Sequence, residues 1–88
     1  MDIYPKEHKI EIGKVERFFD KIGVAAIELS GALKVGDTIQ IEGGPEPVRV
    51  EVTSMQIDRK DVESASAGDS VGIKVDTPVG KGCRVYLV

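Results

Sequence analysis

The chain has 88 residues, of which 12 are Lys or Arg and 15 are Asp or Glu, for a formal net charge of −3. With 31% charged and 41% hydrophobic residues it has a globular balance, and its length supports one modest core and one domain. These values exclude a disordered polyelectrolyte, and the short apolar runs exclude a membrane-spanning helix, which needs ~20 apolar residues.

Residues 1–8 carry charges of both signs and no apolar stretch. They are expected to form a loose N-terminal segment rather than a signal peptide, so the expected location is the cytoplasm. The domain is expected over residues 9–88. Period-2 alternation dominates it, which gives a strand one dry and one wet face. In the first strand Ile10 and Ile12 have even parity, while Val15 and Phe19 have odd parity. The switch falls at Gly13 and predicts a β-bulge there. Phe18 and Phe19 are consecutive, so one of them is expected to face out.

The loop Asp20 to Gly23 reads as a hairpin turn. Val24 to Leu29 has helical propensity but only six residues between glycines, so a strand with Ala25, Ile27 and Leu29 on one face is expected. Ile39 and Ile41 form the next alternating pair, followed by Val48, Val50 and Val52. Asp61 to Ala67 allows a single helical turn that Gly68 ends. Val71, Ile73 and Val75, then Val85 and Leu87, complete the pattern. A turn about every ten residues without a long helix points to a small all-β barrel or sandwich.

Catalytic chemistry has little support. The single histidine, His8, sits in the N-terminal segment, and Cys83 is the only cysteine, which excludes an intrachain disulfide framework. No His/Cys cluster offers metal-ligand spacing and no acidic run forms an EF-hand loop. Gly80-Lys81-Gly82 lacks the rest of a P-loop, and Asp20-Lys21-Ile22-Gly23 reads as an ordinary turn. Neither a cofactor, a metal nor a nucleotide is expected, and the chain is not expected to be an enzyme. No dense Lys/Arg run is present, although folding can gather Lys74, Lys81 and Arg84 into a small basic face.

Four segments occur in an informative order. They are Ile12-Gly13-Lys14-Val15-Glu16, Gly31 to Ile39 (GALKVGDTI), Val52-Thr53-Ser54-Met55-Gln56, and Ala65 to Ile73 (ASAGDSVGI). Together they resemble domain II of the translational GTPases, the β-barrel of elongation factors Tu and 1-alpha, over about Ile12 to Val88. The resemblance implies a closed six- or seven-stranded Greek-key β-barrel. The GTPase domain is absent, so it implies a stand-alone elongation factor-like module without GTP hydrolysis. By position it implies an RNA contact, to a tRNA acceptor end or ribosomal RNA, through Gln56, Arg59 and Lys60. Gln56 stands where the family carries an acid. Similar barrels also occur as C-terminal accessory domains of U32-type peptidases. That alternative implies a protein interface at the apolar hairpin, with Phe18, Phe19 and Ile22.

Overall fold

A computed structural model describes residues 10–88, all of it strands, turns and loops. The expected loose segment, with His8, lies outside the described residues. Ten strands follow in chain order: β1 (Ile10–Phe19), β2 (Val24–Leu29), β3 (Leu33–Lys34), β4 (Thr38–Glu42), β5 (Val48–Glu51), β6 (Met55–Ile57), β7 (Lys60–Val62), β8 (Ser64–Ala65), β9 (Ser70–Lys74) and β10 (Arg84–Leu87). Eight of them make one antiparallel, curled sheet in the order β5-β4-β10-β1-β2-β9-β6-β7, and β3 pairs with β8 in a separate two-stranded ladder.

The all-β expectation therefore holds, but the strand count and the closure do not. The ladder has eight strands and ends at β5 and β7 instead of closing as a six- or seven-stranded Greek-key barrel. The segment expected to allow a helical turn is strand at β7 and β8, because Val62 and Ala65 are drawn to the core side.

Alternation is converted directly into a core. Ala25, Ile27 and Leu29 of β2, Ile39 and Ile41 of β4, Val71 and Ile73 of β9, and Val85 of β10 are all buried. Met55, Cys83 and Leu33 complete it, and no buried side chain among the described residues is polar or charged. Each fully buried Val, Ile or Leu contributes about 1.5–3 kcal/mol, so this aliphatic set supplies most of the driving force.

β1 is the long central strand, and it carries two irregularities. The expected bulge occurs where the pairing with β10 shifts between Glu11 and Gly13. A second shift, in the pairing with β2, lies between Val15 and Arg17. It inverts the remaining parity, so Phe18 packs against the core and Phe19 faces out. Ile10 was expected on the dry side, but it is 61% exposed at the start of the strand.

Two turns repeat one another atom for atom. At Lys34–Asp37 the Asp37 amide bonds the Lys34 carbonyl, and the Asp37 carboxylate accepts from the Lys34 amide at 3.0 Å. At Ser66–Asp69 the Asp69 amide bonds the Ser66 carbonyl, and the Asp69 carboxylate accepts from the Ser66 amide at 2.9 Å. Gly36 (φ 101°) and Gly68 (φ 95°) occupy the position that needs a positive φ. Each turn then clasps one apolar residue twice. Gly36 and Asp37 bond the carbonyl and amide of Val52, and Gly68 and Asp69 bond those of Leu29.

Gly13 has no room for a side chain. A Cβ there would stand 2.7 Å from the Glu28 carbonyl oxygen and 2.9 Å from Ile27 Cγ2. Gly13→Ala is expected to lower stability by roughly 1–3 kcal/mol, the usual cost of overpacking. Denaturant titration should show an earlier midpoint with an unchanged slope.

Candidate functional site

The β1–β2 hairpin is built by the second bulge and a four-residue loop. The Ile22 and Gly23 amides both bond the Phe19 carbonyl, at 3.3 and 2.9 Å, which closes the turn. The Gly23 carbonyl accepts from the Val75 amide at 2.9 Å and ties the tip to the end of β9. Phe19 is 41% exposed and Ile22 60% exposed. Phe18 is half-buried beneath them, so of the three proposed interface residues two are available at the surface.

The outer face next to this tip is shallow and cationic at its rim. Register places Arg17 opposite Ala26, Ala26 opposite Gly72, Phe19 opposite Val24, and Val24 opposite Lys74. The Arg17 guanidinium carbon lies 5.8 Å from the Phe19 ring centroid, within cation–π range. Small residues in the middle leave Phe19 standing proud, with a basic residue on each side.

The proposed RNA residues are distributed differently. Gln56 lies opposite Asp61 across the β6–β7 hairpin, and its amide donates to the Asp61 carboxylate at 3.0 Å. Lys60 pairs with Ile57, so it projects from the other face of the hairpin. Asp58 and Arg59 form the tip, both with positive φ, 52° and 66°. That is the twist of a tight two-residue hairpin turn, held here by two non-glycine residues. The strand pairing keeps Arg59 exposed at the tip but does not converge Gln56, Arg59 and Lys60 on one surface.

The small basic face that folding could have gathered from Lys74, Lys81 and Arg84 does not form. β2 and β1 stand between β9, which carries Lys74, and β10, which carries Arg84. Arg84 pairs with Glu11 at 3.5 Å. Lys81 lines a separate cleft of about 730 Å³ with Pro45, Pro47, Pro78, Val79 and buried Cys83. In the Gly80–Gly82 turn the Gly82 amide bonds the Val15 carbonyl at 2.8 Å, so it serves the sheet rather than a phosphate. Among the described residues no group of three or more His, Cys, Asp or Glu side chains could hold a metal ion. No helix there is long and apolar enough to cross a membrane.

Fold and surface together define a small β-barrel-like module with an exposed apolar hairpin. The chain belongs to the elongation factor Tu domain 2 family, whose model matches residues 29–78. It is 51% identical over 84 residues to a protein of Methanocaldococcus jannaschii named an uncharacterized protease. That match covers 94% of this chain but 21% of the relative, so the chain spans about a fifth of its length. In fold it is similar to two crystal structures of the C-terminal domain of a U32 peptidase candidate from Geobacillus thermoleovorans. Their TM-scores are 0.82 and 0.83, with 16% identity in both cases. The matches cover 86% and 89% of this chain and 96% and 91% of those chains. The domain II likeness is thus established, whereas these relatives are named for a protease and not for a stand-alone translation factor. No catalytic function is shown for this domain alone.

The β6–β7 tip yields a direct test of its backbone. A non-glycine residue in the left-handed region costs on the order of 1 kcal/mol. Arg59→Gly should therefore raise stability by about that amount, seen as a higher midpoint in thermal or denaturant unfolding.

Proposed function

We propose that this chain is an accessory docking domain of a U32-type peptidase, binding the remainder of that protein through the β1–β2 hairpin. The observation that carries the reading is the exposed Phe19–Ile22 edge, which a bulge and a tied loop hold rigidly outward. A large aromatic and a β-branched residue at a preorganised tip suit the buried centre of an interface. Arg17 and Lys74 would stand at its rim and favour an acidic border on the partner surface. The identity to the archaeal protease, of which this segment matches a fifth, supplies the partner class. In this reading the chain performs no chemical step.

The test uses the archaeal relative with its matching segment removed, mixed with this chain. Calorimetry should detect binding, and Phe19→Asp or Ile22→Asp should weaken it at least about ten-fold with the melting temperature little changed. Undiminished binding by both variants would remove the hairpin from the interface.

A second reading keeps RNA as the partner, and it rests on the resemblance of the sequence to domain II of the translational GTPases. Arg59 at the exposed tip is its anchor, with Lys60 and Gln56 beside it in sequence. Few phosphates could be neutralised, so binding should be weak and salt-sensitive. NMR titration with an acylated and a deacylated acceptor minihelix should then move the Gln56, Arg59 and Lys60 amides, and Arg59→Ala should abolish the shifts. Flat spectra with both minihelices would eliminate this reading.

A further inference from the structure

Val48 and Val50 of β5 belong to the inner face, yet both are only half-buried. Ile39 and Ile41, beside them on β4, are 0% and 2% exposed. The difference arises because β5 ends the sheet, and among the described residues no strand pairs with its far side. A hollow of about 340 Å³ runs along that side, walled opposite by Lys74, Asp76 and Thr77.

The direction of each peptide group follows from the neighbouring ladders. The Val88 amide bonds the Thr38 carbonyl at 3.0 Å, so Thr38, Gln40 and Glu42 direct their peptide groups toward β10. Ile39 and Ile41 then direct theirs toward β5, where they meet Val50 and Val48. Val52 continues the alternation by bonding Asp37 at 2.9 Å. The amides and carbonyls of Arg49 and Glu51 are left pointing to the open side. Their side chains share the outer face, where Arg49 donates to Gln40 Oε1 at 2.9 Å. Among the described residues Glu51 has no hydrogen-bond or ion-pair partner.

We propose that β5 pairs with β5 of a second copy of this chain, antiparallel and about a twofold axis through Val50. The sequence Val48-Arg49-Val50-Glu51 is self-complementary in that register alone. Arg49 falls opposite Glu51 of the second copy, and Glu51 opposite Arg49, so two opposite-charge pairs form across the seam. The same two positions carry the free peptide groups, which gives four backbone hydrogen bonds. Val50 meets Val50 on the inner face, where the exposed apolar area lies.

Neighbouring registers fail on charge. Centring on Arg49 sets Arg against Arg and places Glu51 opposite Pro47, which has no N–H to give. Centring on Glu51 sets Glu against Glu. Pro47 therefore limits the edge to one short ladder, and the dimer is weak and reversible. This inference does not rest on the hairpin reading, since it uses the edge strand β5 and not the central β1–β2 hairpin.

Sedimentation velocity over a concentration series, with amide shifts recorded in parallel, tests the pairing. The native chain should self-associate, with shifts centred on residues 48–51. Arg49→Glu places four acids at the seam and Glu51→Arg four bases, so each should weaken self-association about ten-fold or more. An equimolar mixture of the two variants should associate again, because every Glu then meets an Arg. A thermal melt of each variant verifies the fold. A monomeric native chain at millimolar concentration, variants that associate as well as the native chain, or a mixture that stays monomeric would each overturn the proposal. So would a dimer whose shifts map to residues 19–24.

Discussion

The fold depends on the paired Gly-Asp turns that follow β3 and β8. Each fixes its own geometry with an aspartate accepting from a backbone amide three residues earlier. Each also spends two peptide groups on a single buried residue, Val52 or Leu29. Those residues sit at the exits of β5 and β2, where the chain leaves one part of the sheet for another. Between the turns β3 and β8 pair over two residues only, Leu33 with Ala65 and Lys34 with Ser64. So short a ladder has little stability of its own. The turns that follow its two strands hold it in place.

This arrangement explains why the architecture was legible from so few residues. The glycines and aspartates of the two turns are the same residues that carry the resemblance to the translation-factor barrel. Only glycine meets the positive φ without cost, and only a short acid reaches back three residues to the amide. Alternation then assigns the dry face of β2, β4 and β9 with no further information. Gly13 was legible as a parity switch, and the close approach of Glu28 and Ile27 shows what the switch accommodates. The open ladder was not legible, because alternation reports which face of a strand is dry and says nothing about which edges meet.

The candidate site was less legible, and the reason lies in one residue of register. Parity through Val15 and Phe19 implied a continuous face, but the shift between Val15 and Arg17 exchanges Phe18 and Phe19. Glu16, in the interval, has no glycine or proline to announce it. Its carboxylate accepts a hydrogen bond from the Ser70 hydroxyl at 3.1 Å, a contact between residues 54 positions apart. Long-range contacts of that kind leave no local pattern. The separation of Gln56 from Lys60 has a simpler origin. A two-residue turn at Asp58 and Arg59 makes residues four apart in sequence face opposite ways, whereas a longer loop would have left their relation open.

With no buried polar side chain among the described residues, recognition is left to the surface and to the free edges. The hairpin tip and the β5 edge differ in what they offer. At the tip the Ile22 and Gly23 amides and the Phe19 and Gly23 carbonyls are spent on closing the turn and tying it to Val75, and the exposed apolar side chains offer the contact. At the edge the side chains are ordinary and the peptide groups are unspent. The two surfaces nevertheless approach one another, because Lys74 stands opposite Val24 of the hairpin strand and also walls the hollow beside β5. A partner large enough to cover Phe19 and reach past Lys74 would enter that hollow and compete for the Arg49 and Glu51 peptide groups. Docking and self-pairing therefore exclude each other on steric grounds if the docked surface extends in that direction, and are independent if it extends along Arg17 and Ala26. The rim charges favour the first direction on the Lys74 side and the second on the Arg17 side, so the distribution of acids on the partner decides between them.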